Sequence, residues 1–233
     1  VEDFRFYYDC LMGPNARSVL QALKRIHGLP EINIIAVGHG PLLKYHLKRW
    51  TENYQSWSHK QAKNESYAAI CYLSQYGFCD QLSQAIARGV SKAASEALLI
   101  DLRSTDAQEL GSIINSAKAV VLPTWPIKLD TNLQSSIGTL LAAIKQTQWV
   151  AIYDAYGNSD EPIDSIASQL RSLGPKEAFN PLRVKEEPTS NTYQRFEEAG
   201  SDLGQLLNRK KNIEKAKNLD ADLNKALGRI SGG

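Results

Sequence analysis

Cysteine is scarce in this chain: Cys10, Cys71 and Cys79 are the only three among 233 residues, an odd count with no CxxC pair. That scarcity argues against a disulfide framework and predicts a reducing, cytoplasmic compartment. Long apolar runs are missing too, so no membrane span is expected, and no signal-peptide pattern is visible. The first residue is Val1 rather than Met, as in a chain that begins inside a longer protein. Net charge is only +2, and it is concentrated at one end. Residues 209–233 carry seven Lys/Arg against three acids, leaving 20 basic against 22 acidic residues elsewhere. A slightly acidic body with a basic tail lacks the basic face that binds nucleic acid, so no nucleic-acid partner is expected.

What the sequence does have is a strand–loop–helix unit at Ala68–Ala94. Ala68 to Leu73 has the length and composition of a buried strand. Leu82, Ala85, Ile86, Val90 and Ala93 then fall on one helical face. Between them lies the loop Ser74-Gln75-Tyr76-Gly77-Phe78-Cys79. The free N–H groups of a helix that starts there favour a phosphate or similar anion. Gly77 permits a backbone conformation or an approach to the ligand that a side chain would forbid. The same pattern also occurs in polar loops that bind nothing.

From Tyr67 onward, strand and helix alternate. Strands are expected at 68–73, 97–102, 119–122, 149–153 and 182–185. The intervening helices bury Leu110, Ile113 and Ile114; then Leu133, Ile137 and Leu140; then Ile163, Ile166 and Leu170. Thr105 to Gln108 reads as a capping box, Pro162 suits a first helical turn, and a last helix is expected from about Thr189 through Leu207. Five such units in about 140 residues predict an α/β fold with a doubly wound parallel sheet. Ligands then bind beyond the carboxyl ends of the strands, at the switch in strand order. The loops in question are 74–79, 123–130 and 154–160. Their aromatic residues suit either a sandwich around a flat ring or ordinary loop packing. Residues 1–62 read as strand (Phe4–Tyr8), helix (Val19–Ile26), strand (Ile32–Val37) and a mixed segment rich in Trp and Tyr. So few elements make a poor core alone, so this part reads as the end of a domain.

Several motifs in this order resemble the flavodiiron proteins, especially the three-domain type of oxygenic phototrophs. GHGP at 38–41 resembles the end of their metallo-β-lactamase-like domain, and SQYGFCDQLSQAIARGV at 74–90 their flavodoxin-like phosphate loop and helix. The 154–159 loop, AFNPLRVKEEPT at 178–189 and FEEAGSDLGQLL at 196–207 extend the match, and LDADLNKALGRIS resembles the approach to an appended flavin-reductase-like domain. The resemblance implies three parts: residues 1–62 from a metallo-β-lactamase-like αββα (diiron) domain, 66–208 a five-stranded flavodoxin-like FMN domain, and 209–233 a linker. It also implies an NAD(P)H:oxygen oxidoreductase that passes electrons through FMN to a diiron site and reduces O2 to water, some members reducing nitric oxide. Its partners would be a head-to-tail homodimer or a related subunit in a hetero-oligomer, with NAD(P)H acting through the reductase-like domain. This segment alone would then be inactive.

Carried over by position, Ser74, Gln75, Tyr76, Gly77, Phe78 and Cys79 would surround the FMN phosphate. Pro123, Thr124 and Trp125, with Asp154, Ala155, Tyr156, Gly157, Asn158 and Ser159, would flank the ribityl chain and ring. His39 would be the last iron ligand. By spacing alone, though, a histidine between glycines also suits a turn. The family's HxExDH cluster is absent from these residues, so most iron ligands would lie upstream of Val1. No catalytic acid, base or nucleophile is expected, because the chemistry belongs to the cofactors. Cys79 stands where the family usually has Ser or Thr, Leu122 where a small polar residue is common, and Asn158 where Trp is common. Losing one hydrogen bond to a charged phosphate costs about 1.5–3 kcal/mol. These departures favour an alternative: a divergent subunit with weak or lost cofactor binding that acts as a structural partner.

Overall fold

The computed structural model describes residues 2–8, 12, 16–38, 42–62, 66–157 and 163–209. His39, Asn158, Ser159, Pro162 and the tail from Lys210 lie outside them.

Strands β1 (Tyr67–Tyr72), β2 (Glu96–Asp101), β3 (Ala119–Pro123), β4 (Trp149–Tyr153) and β5 (Lys176–Glu177) form one sheet in the order β2-β1-β3-β4-β5. Every pairing is parallel. β1 and β3 are almost wholly apolar because helices cover both faces of a parallel sheet. The strand order reverses between β1 and β3, the usual ligand-binding crevice of a flavodoxin-like fold. The connecting helices are α4 (Cys79–Lys92), α5 (Ala107–Ser116), α6 (Thr131–Ala143) and α7 (Ile163–Leu173), and residues 190–209 form α8.

Capping follows ordinary local chemistry with one shift. The Asp106 carboxylate, not Thr105, accepts the Gln108 and Glu109 amides at the start of α5, since an ionised acceptor one residue on serves the orphan N–H groups of the first turn. Asp130 accepts the Leu133 amide at 2.8 Å at the start of α6. The buried Gln148 closes the other end of α5: its Nε2 donates to the Ile114 and Ala117 carbonyls at 2.6 and 2.8 Å.

α4 and α8 cross closely. A Cβ on Gly89 would lie 1.9 Å from the Glu197 carbonyl oxygen, and one on Gly200 would lie 2.1 Å from the Ile86 carbonyl oxygen. Glu197 ion-pairs with Arg88 at 3.2 Å and also with Lys92 at the rim of this crossing. The Ser95 hydroxyl donates to the Gly204 carbonyl at 2.7 Å, within the same crossing.

Three sequence expectations are corrected. Phe4–Tyr8 is helical, with α1 spanning Glu2–Tyr7. Helix spacing stacks Phe4 on Trp50 (ring centroids 4.3 Å) and Tyr8 on Trp57 (5.2 Å) of α3 (Leu47–Gln61), and that tertiary packing overrides a strand-like composition. Among the described residues, Ile32–Val37 makes a single antiparallel bridge, Ile35 with Leu43, and no strand lies beside it to cover an apolar face, so Ile34 and Val37 stay exposed. The edge strand expected at 182–185 sits earlier, at Lys176–Glu177. Its ladder resumes only at Leu182, bridged to Tyr153, because residues 179–181 bulge out and Pro181 has no N–H to donate.

The helical segment before β1 docks on the β2 edge. α2 spans Ala16–His27. The Arg17 amide donates to Glu96 at 3.1 Å, its Nη2 donates to the Ala62 carbonyl at 2.7 Å, and its guanidinium lies 4.2 Å from the Tyr67 ring centroid.

Candidate functional site

The loops leaving β1, β3 and β4 meet at the carboxyl rim. Thr124, fully buried, accepts the Ala155 amide on its Oγ1 at 2.9 Å, and its own amide donates to the Tyr153 carbonyl at 2.8 Å. These two bonds fix the β3 loop against the β4 loop. The Phe78 amide donates to the Ala155 carbonyl at 2.9 Å and brings in the β1 loop.

Glycine is required where these loops touch. Gly77 has φ +53°, and a Cβ there would lie 2.5 Å from the Ala155 carbonyl oxygen and 2.6 Å from the Gly157 nitrogen. A Cβ on Gly157 would lie 2.5 Å from the Tyr76 ring. Gln75 and Tyr156 also have positive φ, 60° and 51°, a cost tolerated only where the surrounding structure fixes the chain.

The aromatic residues divide. Phe78 and Tyr156 are half-buried at the rim, with ring centroids 6.0 Å apart and planes inclined by 36°. Trp125 is buried, so it packs into the fold and offers no open face. Pro123 is the last residue of β3 and is likewise buried.

Cys79 does not point toward the rim. Its Sγ is fully buried, takes the Leu73 amide at 3.1 Å and lies 3.1 Å from the Tyr153 hydroxyl. Tyr153 in turn donates to the Cys71 carbonyl at 3.0 Å. Burial, then the neighbouring Cys79, pushes the Cys71 thiol far above its ordinary pKa. The weak S–H donor expected at the phosphate is therefore spent inside the core.

The Ser74, Tyr76, Phe78 and Cys79 amides of the loop expected to hold a phosphate already have partners. Asp101, at the end of β2, accepts the Ser74 and Arg103 amides on Oδ1 at 3.2 and 3.1 Å, and the Ser104 hydroxyl on Oδ2 at 3.0 Å. The Tyr76 amide donates to the Leu73 carbonyl at 3.3 Å, and the Cys79 amide to the Tyr76 carbonyl at 3.2 Å. Asp80 stands in the first turn of α4. Its Oδ1 is shut off from solvent, and no donor reaches it among the described residues. Burial, then Asp101, raises the Asp80 pKa against the opposing pull of the Gln75 backbone amide. The nearby Arg103 guanidinium pairs with Asp130 at 3.4 Å.

The fit to a flavin mononucleotide is therefore uneven. The rim gathers three loops and two aromatic faces, which suits a flat ring. At the phosphate end, two carboxylates stand beside the loop and its Ser74, Tyr76, Phe78 and Cys79 amides are spent, which suits a dianion poorly. Asp80 and Asp101 were not picked out by sequence reasoning. The signal was present: Asp101 stands next to last in the second expected strand, and Asp80 follows the loop at the start of the helix.

Among the described residues, no group of three or more His, Cys, Asp or Glu is placed to hold a metal ion. No described helix is long and apolar enough to cross a membrane.

No family model matches the chain. Its sequence is 45% identical to diflavin flavoprotein A 1 of Synechocystis sp. over 99% of this chain and 40% of that protein. It is 46% identical to a diflavin flavoprotein A of Nostoc sp., again over 40% of the relative. The chain thus spans about 40% of the length of the curated relatives it matches. Among solved structures, a flavodoxin-like domain from a Synechococcus sp. protein is 44% identical with TM-score 0.59, covering 61% of this chain and 99% of that domain. A metal-soaked flavodiiron core from Synechocystis sp. is 35% identical with TM-score 0.66, covering 88% of this chain and 51% of that one. With a flavodoxin-like sheet and relatives of this identity, the chain belongs to the flavodiiron proteins, in the diflavin flavoprotein A group.

Proposed function

We propose that this chain supplies the electron-relay segment of a flavodiiron-type oxidoreductase, with a flavin seated between the loops after β1, β3 and β4. In this reading, residues 66–208 form the flavin domain. Residues 1–62 close a metallo-β-lactamase-like domain in which His39 is a late iron ligand, and 209–233 lead to a flavin-reductase-like domain. The observation that supports it is the meeting of Gly77, Thr124 and Ala155 at the switch in strand order.

FMN, when bound, would supply the one-electron chemistry that links a nicotinamide donor to the irons. The chain's own residues do simpler work. Thr124 fixes the Ala155 backbone, Gly77 lets the first loop close on the third, and Phe78 and Tyr156 offer apolar faces. Ser74, Gln75, Tyr76, Asp154 and Gly157 line the remainder of the rim; Asn158 and Ser159, outside the described residues, belong to the same proposed site. Reduction of O2 to water, a head-to-tail dimer and NAD(P)H as donor all belong to the same proposal.

One observation favours a second reading, in which the chain serves as a structural partner in a hetero-oligomer with weak or lost cofactor binding. The Ser74, Tyr76, Phe78 and Cys79 amides of the phosphate loop are spent within the protein, and Trp125 is buried. Titrating FMN and riboflavin into the purified chain separates the two readings. Quenching of flavin fluorescence at micromolar protein supports the relay. Its absence with both flavins leaves the structural partner.

A further inference from the structure

A phosphate-binding loop works by aiming unspent backbone N–H groups at a dianion. Here four amides of the loop that should do so are turned to other uses. The Ser74 amide goes to Asp101, the Tyr76 amide to Leu73, the Phe78 amide to Ala155 and the Cys79 amide to Tyr76. Asp101 is anchored on the far side by the Arg103 amide and the Ser104 hydroxyl, so it is held in place at the end of β2. Asp80 approaches from the start of α4, and its solvent-shielded Oδ1 has no donor among the described residues. An acceptor in that state is satisfied by a hydroxyl and repelled by a phosphate oxygen.

The charged groups around the pair do not reverse this. Arg103 is engaged with Asp130. Tyr72 lies close enough that both carboxylates raise its pKa, after the larger effect of burial, while Arg25 of α2 lowers it. Asp80 and Asp101 thus place two carboxylates beside the loop.

We propose that Asp80 and Asp101 set the specificity of this rim, making it a site for a flavin with a neutral, hydroxyl-bearing tail in preference to a phosphorylated one. This rests on the flavin reading above and narrows it: the ring and ribityl chain supply the affinity, and the phosphate opposes it. Riboflavin then binds at least as tightly as FMN. Repulsion between unit charges a few ångströms apart near a protein surface is enough to shift the FMN to riboflavin affinity ratio by about tenfold or more.

The test is a pair of titrations, riboflavin and FMN, on the full chain and on Asp80→Asn and Asp101→Asn, read by flavin fluorescence. Asparagine keeps the shape and an acceptor oxygen while removing the charge. In the parent chain the riboflavin Kd should equal or fall below the FMN Kd. Each variant should tighten FMN by about tenfold with riboflavin nearly unchanged. A second reading needs no variant: raising the salt should tighten FMN and leave riboflavin alone, because screening weakens repulsion. FMN bound more than about tenfold tighter than riboflavin by the parent chain, an affinity ratio unmoved by both substitutions, or FMN weakened by salt would each overturn the specificity and leave the flavin reading standing. Failure of both flavins to bind any of the three proteins would overturn the flavin reading, and this inference with it.

Discussion

The Cys79 sulfur and the Tyr153 hydroxyl lie 3.1 Å apart, both fully buried beneath the loop that follows β1. The pair ties the first turn of α4 to the end of β4, with the Leu73 amide as a third partner. Position 79 therefore anchors the loop from below instead of facing its ligand. A serine hydroxyl can take over both contacts, so Cys79→Ser should leave flavin affinity within about twofold. This reverses the expectation from family position alone, under which a hydroxyl there would tighten binding. Cys79→Ala strands the Leu73 amide and should cost about 1–3 kcal/mol of stability. Flavin titration and urea unfolding of the two variants separate anchoring from ligand contact; tighter FMN binding by the serine variant would put the side chain back at the ligand.

Thr124 offers a cleaner probe of how the rim is assembled. Its hydroxyl accepts the Ala155 amide at 2.9 Å in a fully buried setting. Thr124→Val keeps the shape and leaves that amide without this acceptor, at about 1–3 kcal/mol. Thr124→Ser should retain most of the stability. Thermal denaturation of the three proteins measures the order, parent at or above serine and serine above valine. A valine variant as stable as the parent would show that the bond does not hold the two loops together.

Much of this architecture was legible because the physics that builds it is local. β4 was expected at Trp149–Tyr153 and lies at those residues. α4 carries its apolar face at Leu82, Ala85, Ile86 and Val90, as the spacing predicts. The failures lie where partners distant in sequence decide. Phe4 and Tyr8 look like a strand until Trp50, Tyr54 and Trp57 stack on them. The edge strand moved because Pro181 interrupts a ladder whose other side is β4. At the rim, the strand-to-helix loop marked Gly77, and the family resemblance marked Thr124. The direction of the Cys79 side chain and the reach of Asp101 across to Ser74 depend on packing that no spacing rule contains.

Gly89 and Gly138 form a natural experiment on helix glycines. Both lie inside helices, where alanine is intrinsically better by about 1 kcal/mol. A Cβ at Gly138 meets nothing within 4 Å, so Gly138→Ala should gain about that amount. A Cβ at Gly89 would lie 1.9 Å from the Glu197 carbonyl oxygen and 2.7 Å from the Ser201 amide. Both obstacles are backbone, which cannot swing aside, so Gly89→Ala should lose about 1–3 kcal/mol or more. Chemical denaturation reads both, and equal signs for the two substitutions would mean that α8 does not press on α4 as closely as described.

Tyr67 supplies a pH prediction with a defined window. Its hydroxyl donates to the Ile113 carbonyl at 2.6 Å. Burial pushes its pKa up to about 12, with Arg17 pulling it down and Glu96 adding to the rise. In the unfolded chain the same phenol ionises near its ordinary value of 10.0. The folded state therefore holds the proton longer, so the stability linked to Tyr67 is complete below pH 10.0 and is lost as the pH climbs towards about 12. A gap of that size corresponds to about 2–3 kcal/mol. Tyr67→Phe removes the ionisable group, so its stability should fall less steeply over that alkaline range than the parent's. An ultraviolet titration of the folded protein should lose its highest-pKa phenol component by one tyrosine in the variant. Parallel alkaline unfolding curves for the two proteins would show that Tyr67 ionises no later when folded than when unfolded, and that its contact with α5 does not protect the proton.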